Sequence, residues 1–375
     1  MPSNNSVVIA SAGSGKTWDI CNKAINNPPP FKKALLVTYT NRGKESIINE
    51  YKKQNLGVVD DWIVVKTWYQ FILSEFIKPY QVDFFKKINL IKSIDFSRAY
   101  GYTNMISSTK PERYLNNNYD VLSNEVSRLA VLMIEKSSNK VLQRLEETYC
   151  TIYFDEVQDF IGDDISILEL LFDSSISIHC VGDPKQSTYK THNTKKYSKK
   201  SGVNTYDYFS SLEEKGVITL LKKNTSRRCN EKICSLANQI DSNDPLIQSE
   251  NEEITCHDGV FIISSEDINE YYEYFKPQVL RYDIKTVTSL PNCLNYGVSK
   301  GMTFKRTLIY PNGPLKKFLI KNIKIKSTPK YFVAVTRAKY SVCFVIDNMK
   351  ENDKFKRSNI SINDKKVINC FEFSS

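Results

Sequence analysis

"ASAGSGKT", residues Ala10–Thr17, decides how the rest of the chain is read. Val7-Val8-Ile9 runs into it as a short apolar strand signal, and Lys16 to Ala24 can open a helix before Pro28-Pro29-Pro30 stops it. Strand, glycine loop and helix in that order predict a phosphate-binding turn. The backbone N–H groups from Gly13 to Lys16 can cradle phosphates, the Lys16 ammonium can reach the outer ones, and the Thr17 hydroxyl can hold Mg2+. Ala12, Gly13, Ser14, Gly15, Lys16 and Thr17 are therefore the expected nucleotide contacts. The general pattern has glycine where this chain has Ala10.

A second stretch, "TIYFDEVQDF", supplies carboxylates. Thr151 to Phe154 reads as a buried strand, so Asp155 and Glu156 emerge at its carboxyl end, where ligands bind in open α/β sheets. Asp155 is placed to coordinate magnesium and Glu156 to take a proton from an attacking water. A third strand-like run, "ISIHCVGDPKQSTY", ends near Gln186, whose amide can hydrogen-bond a phosphate or a water. Arg228 in "NTSRRCNEKICSLANQI" and Arg337 in "YFVAVTRAKYSVCFVI" are the guanidinium groups that a phosphoryl-transfer site recruits against transition-state charge.

Composition sets the outer limits. The chain has 375 residues, 41% apolar and 25% charged, enough for two or three domains with their own cores. No run approaches the roughly 20 apolar residues of a membrane span, and the polar start, Pro2 to Ser6, lacks the pattern of a signal peptide. A cytoplasmic protein without membrane contact is expected. Nine scattered cysteines without a Cys-x-x-Cys pair point to reduced thiols, and three dispersed histidines suggest no metal centre of their own. The net charge of +10 permits a polyanionic partner and equally suits a merely soluble surface.

These blocks, in this order, resemble the UvrD/Rep/PcrA group of superfamily 1 DNA helicases. "ASAGSGKT" is similar to the group's phosphate loop, "VTYTNRGKESI" (Val37 to Ile47) to its motif Ia, "VKTWYQFIL" (Val65 to Leu73) to Ib, "FDEVQD" to II, "VGDPKQSTY" to III, "RCNEKICSLAN" to IV, "VSKGMTF" to V and "YFVAVTRAK" to VI. The resemblance implies an α/β fold of two RecA-like parallel-sheet lobes with a small helical insertion in the first. ATP and Mg2+ would lie in a shared cleft, with single-stranded DNA or DNA ends across the lobes. Lys16, Thr17, Asp155, Glu156 and Gln186 would then belong to the first lobe, and Arg228 and Arg337 to the second. Tyr39, Asn41, Thr67, Trp68, Tyr189 and Lys300 would contact nucleic acid, and Gly301 the nucleotide. Core packing is the competing reading for Tyr39 and Trp68.

Departures from the group's pattern are informative. Only nine residues precede Ala10, too few for the glutamine motif that reads adenine, and Arg227 replaces the tyrosine that stacks on it. A guanidinium plane can also stack on a base, so Arg227 remains a nucleotide-binding candidate with weaker adenine selectivity. Thr191 stands where the group has a wedging tryptophan, Gly297 where motif V has histidine, and Thr303 where it has glutamate. About sixty residues separate Asn238 from Ser299, which leaves room for the strands "GVFIIS" (259–264) and "IKTVTS" (284–289) and none for the group's large accessory domain.

The expected division is 1–78 and 147–219 for the first lobe, 79–146 for its helical insertion, 220–350 for the second lobe, and 351–375 for a basic tail containing "KKVINCFEF". Two lysine-rich stretches, 195–200 and 314–326, are candidates for phosphates or for a partner protein. The leading expectation is an ATP-hydrolysing, 3′ to 5′ motor on single-stranded DNA, with no small-molecule substrate besides nucleotide. The alternative is a DNA-sensing ATPase that regulates a partner nuclease, as compact UvrD-like subunits of Gabija-type anti-phage systems do.

Overall fold

A computed structural model describes residues 4–86, 90–97, 105–188, 197, 200–363 and 366–374. The chain divides into two compact units. The first comprises 1–9, 16–184 and 189–221, and the second comprises 10–15, 185–188 and 222–375. Among the described residues no helix is long and apolar enough to cross a membrane.

In the first unit, β1 (Ser6–Ala10) leads through the loop into α1 (Lys16–Asn26), followed by β2 (Lys33–Thr38), α2 (Asn41–Gln54) and β3 (Ile63–Thr67). A short α3 (Trp68–Phe71) runs into a π-helical turn, Ile72–Ile77. The inserted segment holds α4 (Gln81–Phe85), a two-stranded ribbon of β4 (Ile94–Asp95) and β5 (Val121–Leu122), and the helices α5 (Val126–Lys136) and α6 (Lys140–Thr148). Strand β6 (Tyr149–Phe154), α7 (Asp163–Phe172), β7 (Ser177–Gly182), α8 (Thr205–Glu214) and β8 (Thr219–Lys223) complete it.

The sheet order is β3-β2-β6-β7-β1-β8, and the pairings from β3 to β1 are parallel. Strand β2 shows why its residues are apolar almost throughout. Leu35 and Val37 pack into one core layer and Ala34 and Leu36 into another, because alternate side chains point to opposite faces and both faces are covered.

The second unit repeats the principle. Its elements are β9 (Thr225–Ser226), α9 (Glu231–Ile240), β10 (Gln248–Ser249), β11 (Gly259–Ile263), α10 (Ile268–Phe275), β12 (Gln278–Arg281), β13 (Leu294–Asn295), β14 (Phe304–Tyr310), α11 (Gly313–Lys321), α12 (Pro329–Val335), β15 (Ala338–Val345), β16 (Phe355–Asn363) and β17 (Lys366–Phe373). Seven strands follow the order β13-β12-β14-β15-β11-β17-β16. The strands from β13 to β11 are parallel, whereas β17 and β16 join antiparallel as a hairpin. Val260 and Ile262 face one core layer, Phe261 and Ile263 the other.

One sequence expectation changes here. "IKTVTS" is turns and bends rather than a strand. Its Ile284 and Val287 are exposed, and the strand forms earlier, over the apolar run beginning at Gln278 just after Pro277. The basic tail, 351–375, joins the second unit's sheet, and its "KKVINCFEF" holds the final strand that segment could form, β17. Phe355, Ile360, Ile368 and Phe373 are buried, and the hairpin they belong to covers the edge of β11.

Candidate nucleotide and nucleic-acid site

The loop after β1 turns through Gly13 and Gly15, with φ of +78° and +86°, values a side chain makes costly. Gly13 is also sterically required in the second unit. A Cβ there would lie 2.5 Å from Ser226 Oγ and 2.6 Å from Arg228 Cβ, and the Arg227 N–H donates to Gly13 O at 3.0 Å. Ala12 is buried with Cys229 and Ile233. Ser14 Oγ is buried and has no protein partner among the described residues, a donor suited to a phosphate oxygen that the protein does not itself provide.

In the first unit, Lys16 and Thr17 start α1, and the Thr17 hydroxyl donates to Asp155 Oδ2 at 3.2 Å. Asp155 follows the last residue of β6, and its N–H is held by Val37 O at 2.8 Å, so the carboxylate is fixed at the strand's end. Burial pushes its pKa up to about 7, with the neighbouring Glu156 charge adding to the rise and Lys16 and the Thr17 hydroxyl opposing it. The Glu156 N–H donates to Asp155 Oδ1 at 2.9 Å, and Thr17 with Asp155 offers the oxygen ligands that a divalent ion of the magnesium type takes.

Glu156 sits in the left-handed region, φ +61°, and accepts from Gln158 Nε2. Gln158 is fully buried and takes the Asp183 N–H on its own oxygen at 2.9 Å. It therefore ties the carboxylate turn to the end of β7, and a Cβ on Gly182 would sit 2.6 Å from that oxygen. Sequence reading passed over Gln158. The only available signal was a glutamine two residues after Glu156.

In the second unit Arg337 is 1% exposed, lying where α12 gives way to β15. Its Nε donates to Val333 O at 3.0 Å, Nη1 to Met302 O at 3.3 Å, and Nη2 to Gln186 Oε1 at 2.8 Å and Thr336 Oγ1 at 3.3 Å. Arg337 and Gln186 are thus brought together. Arg228 donates to Thr336 O at 3.1 Å, which puts both arginines on one short segment. Arg227 is largely exposed and pairs with Glu250 at 3.5 Å. Lys300 is buried, while the adjacent Gly301 is exposed at φ +79°, and a Cβ added there would meet nothing within 4 Å.

The nucleic-acid candidates fare differently. Tyr39 and Trp68 are 8% and 1% exposed, stacked at 6.3 Å, and neither offers a free ring face to a base in this conformation. Their polar atoms explain why. Tyr39 OH donates to Asp164 Oδ2 at 2.6 Å and Trp68 Nε1 to Asp164 Oδ1 at 3.0 Å; Ser127 Oγ and the Ile161 N–H also donate to this buried carboxylate. Thr67 is buried too, its hydroxyl capping α3 through the Gln70 N–H at 3.2 Å. Asn41, at the start of α2, is exposed. Tyr189, Thr191 and most of the 195–200 lysine stretch lie outside the described residues.

Residues 109–198, which contain Asp155, Glu156, Gln158, Asp164 and Gln186, match the family model of the UvrD/REP helicase N-terminal domain. That stretch, about a quarter of the chain, is thus similar to this helicase domain, and the described residues form an α/β fold with parallel-sheet cores. Similar solved structures include arterivirus nonstructural protein 10, a helicase, in complex with DNA (14% identity, TM-score 0.46, 92% of this chain and 61% of that one). The PRRSV helicase is another (15% identity, TM-score 0.43, 97% and 59%). The chain thus spans about three fifths of the length of these helicases. No curated protein matches it by sequence.

Proposed function

We propose that this chain is an ATPase that translocates 3′ to 5′ along single-stranded DNA. The observation that carries the reading is the buried Asp155 carboxylate, held beside the Thr17 hydroxyl with its pKa pushed up to about 7 by burial and by Glu156. Thr17 and Asp155 would hold Mg2+, which when bound supplies charge neutralisation for phosphoryl transfer. The N–H groups of the 13–16 turn and the Ser14 hydroxyl bind phosphate oxygens, and Lys16 adds a positive charge to the outer ones. Glu156, oriented by Gln158, is positioned as acceptor for the proton of the attacking water. Arg228 and Arg337 are the candidate guanidiniums of the second unit, where Arg337 donates to Gln186.

A second reading has its own support. The aromatic rings of motifs Ia and Ib are closed inside the first unit, and the wedging tryptophan position is Thr191. Both reduce the grip on stacked bases that processive unwinding uses. That favours a DNA-sensing ATPase that controls a partner such as a nuclease. ATP turnover with and without single-stranded DNA, followed by strand displacement on a 3′-tailed duplex, separates the two. Stimulated turnover with displacement supports the motor, and stimulation without displacement supports the sensor. Lys16→Ala should abolish turnover; persistence of turnover would remove Lys16 from the site.

A further inference from the structure

Between Asp283 and Asp347 the chain has no aspartate or glutamate, although its 42 acidic residues spread evenly would place about seven there. Residues 284–346 carry ten lysines and two arginines, more positive charge than the net +10 of the whole chain. Much of it is concentrated on one element and its continuation. Lys316, Lys317 and Lys321 lie on α11, whose Leu315, Phe318 and Leu319 fill the core, and Lys324 and Lys326 follow directly. All five are exposed, and among the described residues none takes part in an ion pair. The acidic groups that follow this stretch already have backbone donors, and Asp347 also feels the charge of Lys316. Asp347 accepts the Ser265 N–H at 2.7 Å and Glu351 the Arg357 N–H at 2.8 Å.

The mounting is fixed rather than loose. Asn312 caps the start of α11 through the Leu315 N–H and bonds the Tyr331 hydroxyl at 3.0 Å, while Asn352 donates to Leu319 O and Ile320 O at the helix's end. Lys354 lies over the Phe318 ring at 4.2 Å. Beside this face, at the carboxyl ends of β12 and β14, Tyr282 stacks on Tyr331 at 5.5 Å and carries Lys330 over its ring at 4.7 Å. Arg337 and Lys300 precede the amino ends of β15 and β14, whereas α11 begins just after the carboxyl end of β14 and its last turn meets Asn352, just ahead of β16.

Lys317 and Lys321 are four residues apart on a helix, where like charges repel. A row of phosphates relieves that repulsion and releases its own counterions. We propose that α11 and residues 322–330 form a docking track for the phosphodiester backbone of single-stranded nucleic acid, with the Tyr282 ring at its end for a base. This deepens the DNA-binding reading above and rests on it. The half-buried tyrosine and the amide groups among the lysines favour a nucleic acid over an acidic protein or a lipid surface.

Binding of fluorescein-labelled oligothymidylate to the full chain, measured by anisotropy across a salt series, tests it. The variant K316Q/K317Q/K321Q/K324Q should bind at least about tenfold more weakly, and the slope of log affinity against log salt should flatten by about 0.7 per lost phosphate contact. The four-arginine variant at the same positions should keep both, and melting curves check that each variant is folded. Wild-type affinity and slope in a folded glutamine variant would overturn the track while leaving DNA binding intact. Wild-type chain that binds no oligonucleotide would overturn both readings. If the glutamine variant lost binding to polyglutamate or to anionic vesicles but kept the oligonucleotide, the face would belong to that other partner and the track would fall.

Discussion

Asp155 and Asp164 are nine residues apart, in the same unit, and both are buried, yet they do opposite things. Asp155 receives the Thr17 hydroxyl and the Glu156 N–H, has a like charge beside it, and its pKa is pushed up to about 7. Asp164 receives the Tyr39 and Ser127 hydroxyls, the Trp68 indole N–H and the Ile161 backbone N–H. A buried carboxylate is costly unless its lone pairs are filled by donors or by a cation. Asp164 has been given the donors and becomes a knot joining the end of β2, α3, α5 and α7. Asp155 has two donors rather than four and a like charge in Glu156, which suits it to a metal ion and a phosphate.

The largest expected effect tests the first half of that contrast. Asp155→Asn should cut magnesium-dependent ATP turnover by roughly a hundred- to a thousandfold, while its melting temperature in metal-free buffer holds or rises. A collapse of stability with modest loss of turnover would reverse the roles. Asp164→Ala should do the opposite, costing about 3 kcal/mol of unfolding free energy because several buried donors lose their acceptor at once. Chemical denaturation reads this directly, and a variant as stable as wild type would mean that the knot carries no strain-bearing role.

The smallest effect asks whether a buried base with a like charge nearby mirrors what burial and a like charge do at Asp155. His257 in the second unit is packed between the Phe261 and Phe275 rings, each 4.2 Å away, and bonds the Tyr271 hydroxyl at 2.8 Å. Burial, aided by the nearby Arg306 charge, lowers its pKa to about 3. A base with a depressed folded pKa stabilises above its unfolded pKa of about 6.5, and that stability is lost as pH falls below it. Between pH 7 and pH 5 the wild type should lose about 2 kcal/mol more than His257→Phe. Parallel pH profiles for the two proteins would show that the imidazole protonates without cost.

The parts of this fold that depend on neighbours in sequence were readable from it. The loop, α1, and the placement of Asp155 directly after β6 follow from a strand signal, a glycine turn and a helix stop within a few residues of each other. The fate of Tyr39 and Trp68 was not readable in the same way. Their acceptor, Asp164, lies 125 and 96 residues further along, and nothing local distinguishes an aromatic ring that stacks on a base from one that hydrogen-bonds inward. The hold of Arg337 on Gln186, 151 residues apart, is of the same kind. "IKTVTS" failed for a different reason, since alternation predicts a strand only where one face finds something to bury against.

Strand β11 depends on an equally distant partner. Phe261 and Ile262 pair with Glu372 and Phe371, about 110 residues later. During synthesis its outer edge must stay open while all of that chain is made, so the second unit should acquire its cooperative structure late and slowly compared with the local elements around it. A nascent chain halted before residue 355 would present a bare, apolar strand edge, which is the kind of surface that holdase chaperones and wayward strands compete for.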